Sequence, residues 1–265
     1  MKKHIIIGKP IKHSLSPKIH NYWFKKNNID AFYEKISPEQ NELENIIKKI
    51  KTGEIYGMNI TVPYKERVIP FLEDQSDLSR QTKSVNTIFN KKGKIYGDNT
   101  DVYGFEKSIT NEKINLQNKS VLIFGAGGVV PSIILALKNL KTKKIFISNR
   151  TLEKAEIVKE KFKNIQILEW GIIENCDIFI NATSIGLNNN DKFNFNFSQI
   201  SEKKIFYDVI YNPSKTNFLQ EAEKQGHRII NGQDMFLYQA QKAFFLWHNL
   251  SPKVDNNLIE FLYND

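Results

Sequence analysis

Cysteine is nearly absent from this chain: Cys176 is the single one among 265 residues. One thiol excludes an intramolecular disulfide and any metal site built from clustered cysteines. Its place beside the strand-like run Asp177–Ile180 reads as a buried thiol rather than a nucleophile. Long apolar runs are missing too, and none approaches membrane-spanning length. The opening Met1-Lys-Lys-His-Ile-Ile-Ile-Gly8 has far too short an apolar stretch for a signal peptide, since it stops at Gly8 and Pro10. Internal repeats and low-complexity linkers are absent. Acidic residues are outnumbered, 29 against 38 Lys and Arg, for a formal charge of +9. The lysines are dispersed (Lys48, Lys51, Lys91, Lys141 among them), with no helix-turn-helix or zinc pattern beside them, so a nucleic-acid partner is not expected. The excess reads as solvated basic faces, whose field would draw in an anionic substrate and a polyanionic cofactor. The expectation is a cytoplasmic protein with no metal, membrane or nucleic-acid partner; its oligomeric state stays open, a homodimer included.

What is present alternates. Strand-like and helix-like stretches follow one another throughout, which predicts an α/β fold with mostly parallel sheets. In the first hundred residues the strands fall at His4–Ile7, Ala31–Ile36, Ile55–Ile60, Val85–Phe89 and Lys94–Tyr96. Helices are predicted between them at Pro17–Asn27, Glu39–Lys51, Tyr64–Phe71 and Leu78–Lys83. A second block starts at Lys119, with strands at 121–124, 144–148, 165–168, 177–181 and 204–209. Helices at Met235–His248 and Asn256–Tyr263 finish the chain. Two blocks, each opened by its own strand, predict two domains with a boundary near Asp101–Asn118. The last helices could pack on either, and residues 188–191 read as an exposed loop.

The most informative segment is Val121-Leu-Ile-Phe-Gly-Ala-Gly-Gly-Val-Val130. A short apolar strand runs into a glycine turn that opens a helix, an arrangement in which backbone N–H groups and the helix dipole meet a pyrophosphate. Gly125 and Gly127 supply two glycines of the dinucleotide pattern, while Val130 stands where the third would fall. The next strand ends in Asn149, Arg150 and Thr151. A site for NAD usually carries an acid there to accept the ribose 2′-hydroxyl; a cation with two polar groups instead suits the 2′-phosphate of NADP.

Further polar clusters stand where strands end, the place at which open α/β sheets hold ligands. Ser14 and Ser16 precede a helix; Ser16 alone would be a helix N-cap, but two alternating hydroxyls could equally hold a carboxylate. Asn59 and Thr61 alternate on a strand ending at Pro63, and Lys65 follows in the first predicted turn of a helix. A lysine is unusual there, because helix N-termini favour anions. Asn86 and Thr87, then Asn99-Thr-Asp101, complete the set. Asp101 is a natural counter-charge for Lys65 and also a candidate N-cap for a helix beginning near Val102.

Taken together, these stretches resemble the shikimate dehydrogenase family over essentially the whole chain. The carriers are Ser14-Leu-Ser-Pro17, Asn59-Ile-Thr-Val-Pro-Tyr-Lys65, Val85-Asn-Thr-Ile88, Asn99-Thr-Asp101 and Gly125-Ala-Gly-Gly128. They continue through Asn149-Arg-Thr151, Asn181-Ala-Thr-Ser-Ile-Gly186, Tyr207-Asp-Val-Ile-Tyr211, Asn231-Gly232 and Gln239. The resemblance implies that Ser14 and Ser16 bind a substrate carboxylate, with Tyr211 near it, and that Thr61, Asn86, Asp101 and Gln239 bind ring hydroxyls. It implies Lys65 as the acid/base, paired with Asp101. Gly125, Ala126, Gly127, Gly128 and Val129 would cradle the pyrophosphate of NADP, Asn149, Arg150, Thr151 and Lys154 would hold its 2′-phosphate, and Asp77, Val209 and Gly232 would touch the cofactor. The implied fold has two domains, a substrate domain of residues 1–101 completed by 236–265 and an NADP-binding Rossmann domain of 102–235.

Two positions depart from the family pattern: Val102 replaces a usual glycine, and Gln233-Asp234 interrupt the usual Gly-Leu-Gly-Met. The implied activity is the reversible NADPH-dependent reduction of 3-dehydroshikimate. Its rivals are a quinate/shikimate dehydrogenase using NAD, which would need an acid after residue 148, and a non-catalytic ligand sensor, which would be expected to lack Lys65 or Asp101.

Overall fold

A computed structural model describes the chain at residues 1–188, 191–193, 195, 197–200 and 202–263. Asn189 and Asn190 of the predicted 188–191 loop lie outside the described residues. The chain divides into two compact units, one of Met1–Gly104 with Leu237–Asp265 and one of Phe105–Phe236.

The first unit contains β1 (Lys2–Ile7), α1 (Ser16–Lys26), β2 (Ala31–Ile36), α2 (Leu43–Thr52), β3 (Gly57–Ile60), β4 (Asp74–Gln75), α3 (Asp77–Thr82), β5 (Thr87–Lys91) and β6 (Lys94–Asp98). The chain leaves it within α4 (Thr100–Asn111). Its sheet runs β2-β1-β3-β5-β6-β4. The pairs β1–β2, β1–β3 and β4–β6 are parallel, whereas β3–β5 and β5–β6 are antiparallel. Every residue of β3 is buried, as a central strand requires. Helix α2 places Leu43, Ile47 and Ile50 on one stripe against that sheet. Helix α1 starts with Pro17 in its first turn and ends on Lys25 and Lys26, both favourable ends for a helix.

The second unit follows with β7 (Ser120–Phe124), α5 (Val130–Asn139), β8 (Lys144–Ser148), α6 (Leu152–Lys161), β9 (Gln166–Leu168), β10 (Ile178–Asn181), β11 (Ile205–Asp208), α7 (Asn217–Lys224) and β12 (Arg228–Ile230). All its pairings are parallel, in the order β12-β11-β10-β7-β8-β9. The order reverses beside β7, the doubly wound arrangement in which ligands sit beyond the strand C-termini at the reversal. Phenylalanines fill one side of this sheet: Phe124, Phe146, Phe179, Phe206 and Phe218 are all buried. The chain returns to the first unit within α8 (Gln233–His248) and ends with α9 (Asn256–Tyr263).

One expectation needs correction. Residues Tyr64–Phe71 are not an α-helix; only Ile69–Phe71 forms a 3₁₀ turn. Pro70 has no N–H to give, so a regular helical ladder cannot run on through it. The boundary expected near Asp101–Asn118 falls within α4, between Gly104 and Phe105. The short strands β4 and β12 had no alternating pattern to reveal them.

Candidate active site

Lys65 sits in a turn rather than on a helix. Its neighbours Tyr64 and Val68 are buried, and the Tyr64 hydroxyl donates to the Pro38 carbonyl at 2.6 Å. The Lys65 carbonyl accepts the Val85 N–H at 2.9 Å, which pins the turn beside Asn86. With its backbone so tied, the lysine side chain lies 2.5 Å from Asp101 Oδ2. The side chains keep only 11% and 8% of their surface. An ion pair this dry is costly to form and costlier to halve, so each partner depends on the other.

Asp101 is free for that pairing because it is not the helix cap. Helix α4 begins at Thr100, and Asn99 ahead of it accepts the Asp101 N–H at 3.1 Å. Asp101 therefore stands in the first turn of the helix, where a carboxylate is favoured. Its other oxygen accepts from Asn86 Nδ2 at 2.8 Å. The same amide nitrogen lies 2.9 Å from Thr100 Oγ1 and 3.5 Å from Gln239 Oε1. Asn86 Oδ1 accepts the Thr100 N–H at 2.7 Å. Lys65, Asn86, Asp101 and Gln239 thus converge from a turn, the approach to β5, α4 and α8.

Ser16 is likewise not the cap of its helix. It is the first residue of α1, and its N–H is accepted by Ser14 Oγ at 3.2 Å. Ser14 does the capping from outside the helix, which leaves both hydroxyls beside the helix N-terminus. Thr61 follows β3, its N–H held by the Ile7 carbonyl at 2.9 Å. Asn59, and Tyr33, which sequence reasoning passed over, tie this unit together. Asn59 donates to the Asn86 carbonyl at 3.0 Å and to Thr87 Oγ1 at 3.1 Å, and it accepts from the Tyr33 hydroxyl at 2.7 Å. Asn59 had the alternation with Thr61 as a signal; Tyr33 had none.

In the second unit, Gly125 follows β7 at φ +112°, and a Cβ there would approach the Ala182 carbonyl oxygen to 2.7 Å. Only glycine fits this turn. Gly127 and Gly128 differ, since a Cβ on either meets nothing within 4 Å. Ala126 and Val129 complete the turn into α5, whose first turn carries no acid. Beyond β8, Asn149 Nδ2 donates to the Thr151 carbonyl at 2.7 Å, bending the chain into α6. Arg150 and Lys154 are exposed, and among the described residues neither has an acidic partner. Open space beside the two glycines and two cations without an acidic partner among the described residues, one strand away, fit a dinucleotide bearing an extra phosphate.

Val209 and Gly232 come together: a Cβ on Gly232 would lie 2.1 Å from the Val209 carbonyl oxygen, so no side chain is admissible. Tyr211 stacks on Phe236 with centroids 4.4 Å apart. Asp77 opens α3 in the first unit, exposed, 3.9 Å from Arg80. Of the two departures, Val102 is buried in α4, and Asp234 accepts from Asn111 Nδ2 at 3.1 Å. Among the described residues no group of His, Cys, Asp or Glu could hold a metal ion, and no helix is long and apolar enough to cross a membrane.

A doubly wound parallel sheet with a glycine turn at its reversal, in a chain whose other unit buries a lysine–aspartate pair, defines a dinucleotide-dependent dehydrogenase. Two family descriptions match the chain: a shikimate dehydrogenase substrate binding domain at residues 6–88 and a shikimate / quinate 5-dehydrogenase domain at residues 107–209. The shikimate dehydrogenase (NADP(+)) of Pelagibacter ubique is 52% identical over 98% of each chain. The shikimate dehydrogenase structure from Aquifex aeolicus superposes with a TM-score of 0.91 at 32% identity, covering 100% of this chain and 98% of that one. That of the Thermus thermophilus enzyme in complex with NADP(H) and shikimate gives 0.89 at 27% identity, covering 99% and 98%. The chain belongs to the shikimate dehydrogenase family.

Proposed function

We propose that Lys65 is the acid/base, and Asp101 its partner, in the reaction this enzyme carries out. That reaction is the reversible NADPH-dependent reduction of 3-dehydroshikimate to shikimate. NADPH, when bound, supplies the hydride. The buried Lys65–Asp101 pair at 2.5 Å carries the reading of the residues.

Reduction of a ring ketone leaves negative charge on one oxygen, and a positioned ammonium can neutralise that charge by giving its proton. Lys65 is in place to do so, and the dry surroundings make its attraction for a developing alkoxide stronger than water would allow. Asp101 holds the ammonium, and Asn86 holds Asp101. The carboxylate thus fixes geometry more than it supplies chemistry. Asn86, Thr61, Asp101 and Gln239 take the ring hydroxyls. Ser14 and Ser16, at the N-terminus of α1, take the carboxylate with the help of the helix end; Tyr211 is assigned beside it.

The NADP residues follow the same division. The turn Gly125–Val129 holds the pyrophosphate; Asn149, Arg150, Thr151 and Lys154 hold the 2′-phosphate; Asp77, Val209 and Gly232 complete the contacts. On this reading residues 1–101 with 236–265 are the substrate domain and 102–235 the NADP domain. The enzyme works in the cytoplasm on a small-molecule substrate; a homodimer is compatible with this.

The deciding experiment follows NADPH absorbance after addition of 3-dehydroshikimate, with NADH and the Lys65→Ala variant in parallel. Fast NADPH-selective turnover that the variant lacks is the expected result. An equally fast variant refutes the role given to Lys65, and a preference for NADH with turnover of quinate selects the quinate-using alternative.

A further inference from the structure

Lys65 and Asp101 are joined twice. Their side chains meet in the buried pair, and their backbones are joined by a second route through the peptide group between Ser84 and Val85. At one end of that peptide, the Val85 N–H donates to the Lys65 carbonyl at 2.9 Å. At the other, the Ser84 carbonyl accepts from Asn99 Nδ2 at 3.0 Å. Asn99 Oδ1 in turn accepts the Asp101 N–H at 3.1 Å. One peptide plane, stiffened by its partial double bond, and one side chain therefore run from the main chain of the lysine to that of the aspartate.

The direction of each bond is fixed. A carbonyl only accepts, so the Ser84 oxygen requires the amide nitrogen of Asn99 on its side and leaves the amide oxygen for Asp101. Asn99 Nδ2 also lies 3.0 Å from Thr82 Oγ1. That hydroxyl gives its proton to the Leu78 carbonyl at 2.7 Å, and so meets Asn99 as an acceptor. Thr82 ends α3 and Ser84 follows two residues on; they and Asn99 are all buried. Asp98, next to Asn99, ties the start of the same helix, its Oδ1 accepting at 2.6 Å from the hydroxyl of Ser76, which caps α3. Capping α4 needs only the bond to Asn99 Oδ1. The two bonds from its nitrogen go further, because they hold that cap, and Asp101 with it, against the segment that also holds Lys65.

We propose that Asn99 is a positioning residue for the proton-transfer pair: by linking the Asp101 main chain to the Ser84–Val85 peptide, it fixes the carboxylate where it orients the Lys65 ammonium. The inference rests on the role given above to Lys65 and Asp101. Two variants separate it from capping. Asn99→Ala removes cap and link together; Asn99→Ser keeps a capping hydroxyl but has no nitrogen to reach Ser84 or Thr82. The melting temperature should fall by about 2–4 °C in Asn99→Ala and recover in part in Asn99→Ser. The rate should not recover with it: kcat should be about tenfold low in both, because a small misplacement of a reacting group slows the step. KM for NADPH should stay at its wild-type value. In an Asp101→Asn background, Asn99→Ser should change kcat by less than about twofold, since it acts through Asp101. Thr82→Val leaves the cap untouched and removes one anchor of Asn99, and should lower kcat about threefold; it carries the test if the Asn99 variants fold poorly.

A kcat restored along with the melting temperature in Asn99→Ser, or a wild-type kcat in Thr82→Val, reduces Asn99 to a helix cap and overturns the proposal while the reading of the pair stands. The full tenfold loss recurring in the Asp101→Asn background also overturns it, because the effect then bypasses the carboxylate. A wild-type kcat in Asp101→Asn alone refutes the reading of the pair, and the positioning role falls with it.

Discussion

In the first unit the polar side chains lie inside and answer one another, from Tyr33 and Asn59 to Asn86, Asp101 and Lys65. In the second they stand at strand ends, and the working groups are a glycine turn, with room beside the α-carbons of Gly127 and Gly128, and two cations with no acidic partner among the described residues. The cores differ accordingly. The first unit packs isoleucines on one side of its sheet and, around His4, His20 and His248, a cluster of imidazole and aromatic rings. The second packs phenylalanines against an all-parallel sheet. A site made of mutually bonded side chains is preorganised but fragile to any one loss. A site made of backbone and free cations tolerates more, since each contact forms only with the ligand.

The sharpest way to break this contrast is Lys65→Ala. Loss of a positioned proton donor should lower kcat by roughly 10²–10⁴-fold, with a modest change in substrate KM and none in NADPH affinity. Steady-state kinetics with each substrate varied in turn check this, and an unchanged kcat would sink the assignment. In the second unit, Arg150→Ala should raise KM for NADPH by about 10–100-fold, the scale of a lost charge-assisted contact, while the weaker use of NADH stays where it was. A parallel loss with NADH would mean that Arg150 serves the fold or the adenosine rather than the 2′-phosphate.

The same contrast explains what the sequence made legible. The second unit could be read in order because its site is contiguous: β7 runs into Gly125 through Val129, and β8 into Asn149 through Lys154. Local patterns carry such a site. The Lys65–Asp101 pair spans 36 positions and was open to inference only through complementary charge. Tyr33 was invisible, because a tyrosine in an alternating strand has the pattern of core whether or not its hydroxyl is used. Capping was misread by one or two positions at Ser16 and Asp101, since several Ser, Thr and Asn residues compete at a helix start and only the hydrogen bonds decide among them. The expected helix at 64–71 failed for a different reason: apolar spacing outvoted Pro70 in the reading, and proline wins in the chain.

Titration separates the units further, beginning with Asp208. Burial pushes its carboxyl up to about 6, although Thr216, Asn181 and the Ile210 N–H all donate to it. A carboxyl raised in the folded state favours folding most when both states keep the proton, below about pH 4. That contribution is lost as pH rises to about 6, and it amounts to about 3 kcal/mol over the two units of pKa. Asp208→Asn cannot titrate. Its melting temperature should therefore fall more steeply than the wild type's between pH 7 and pH 4, because the counterweight is gone. Parallel melting curves across that range by calorimetry would show it, and identical slopes would remove Asp208 from the account.

The histidines of the first unit act with the opposite sign. Burial holds His4 at about 3 and His248 at about 4, and it holds His20 well below the usual imidazole range. His4 and His248 face each other at 3.1 Å through their Nε2 atoms, and among the described residues neither ring nitrogen of His20 has a hydrogen-bond partner. A group lowered in the folded state contributes fully above its unfolded value near 6.5, and that contribution drains away as pH falls toward the folded value. An imidazole that stays neutral down to pH 5 costs about 2 kcal/mol there, because the unfolded chain takes up a proton that the folded one refuses. His20→Phe keeps the stacking against Tyr33 and Phe244 and removes the proton site. Its melting temperature should therefore drop less than the wild type's between pH 7.5 and pH 5, by several degrees for a chain of this size. An equal drop would mean that the cluster takes up its protons without unfolding, and the acid response of the two units would then no longer differ in sign.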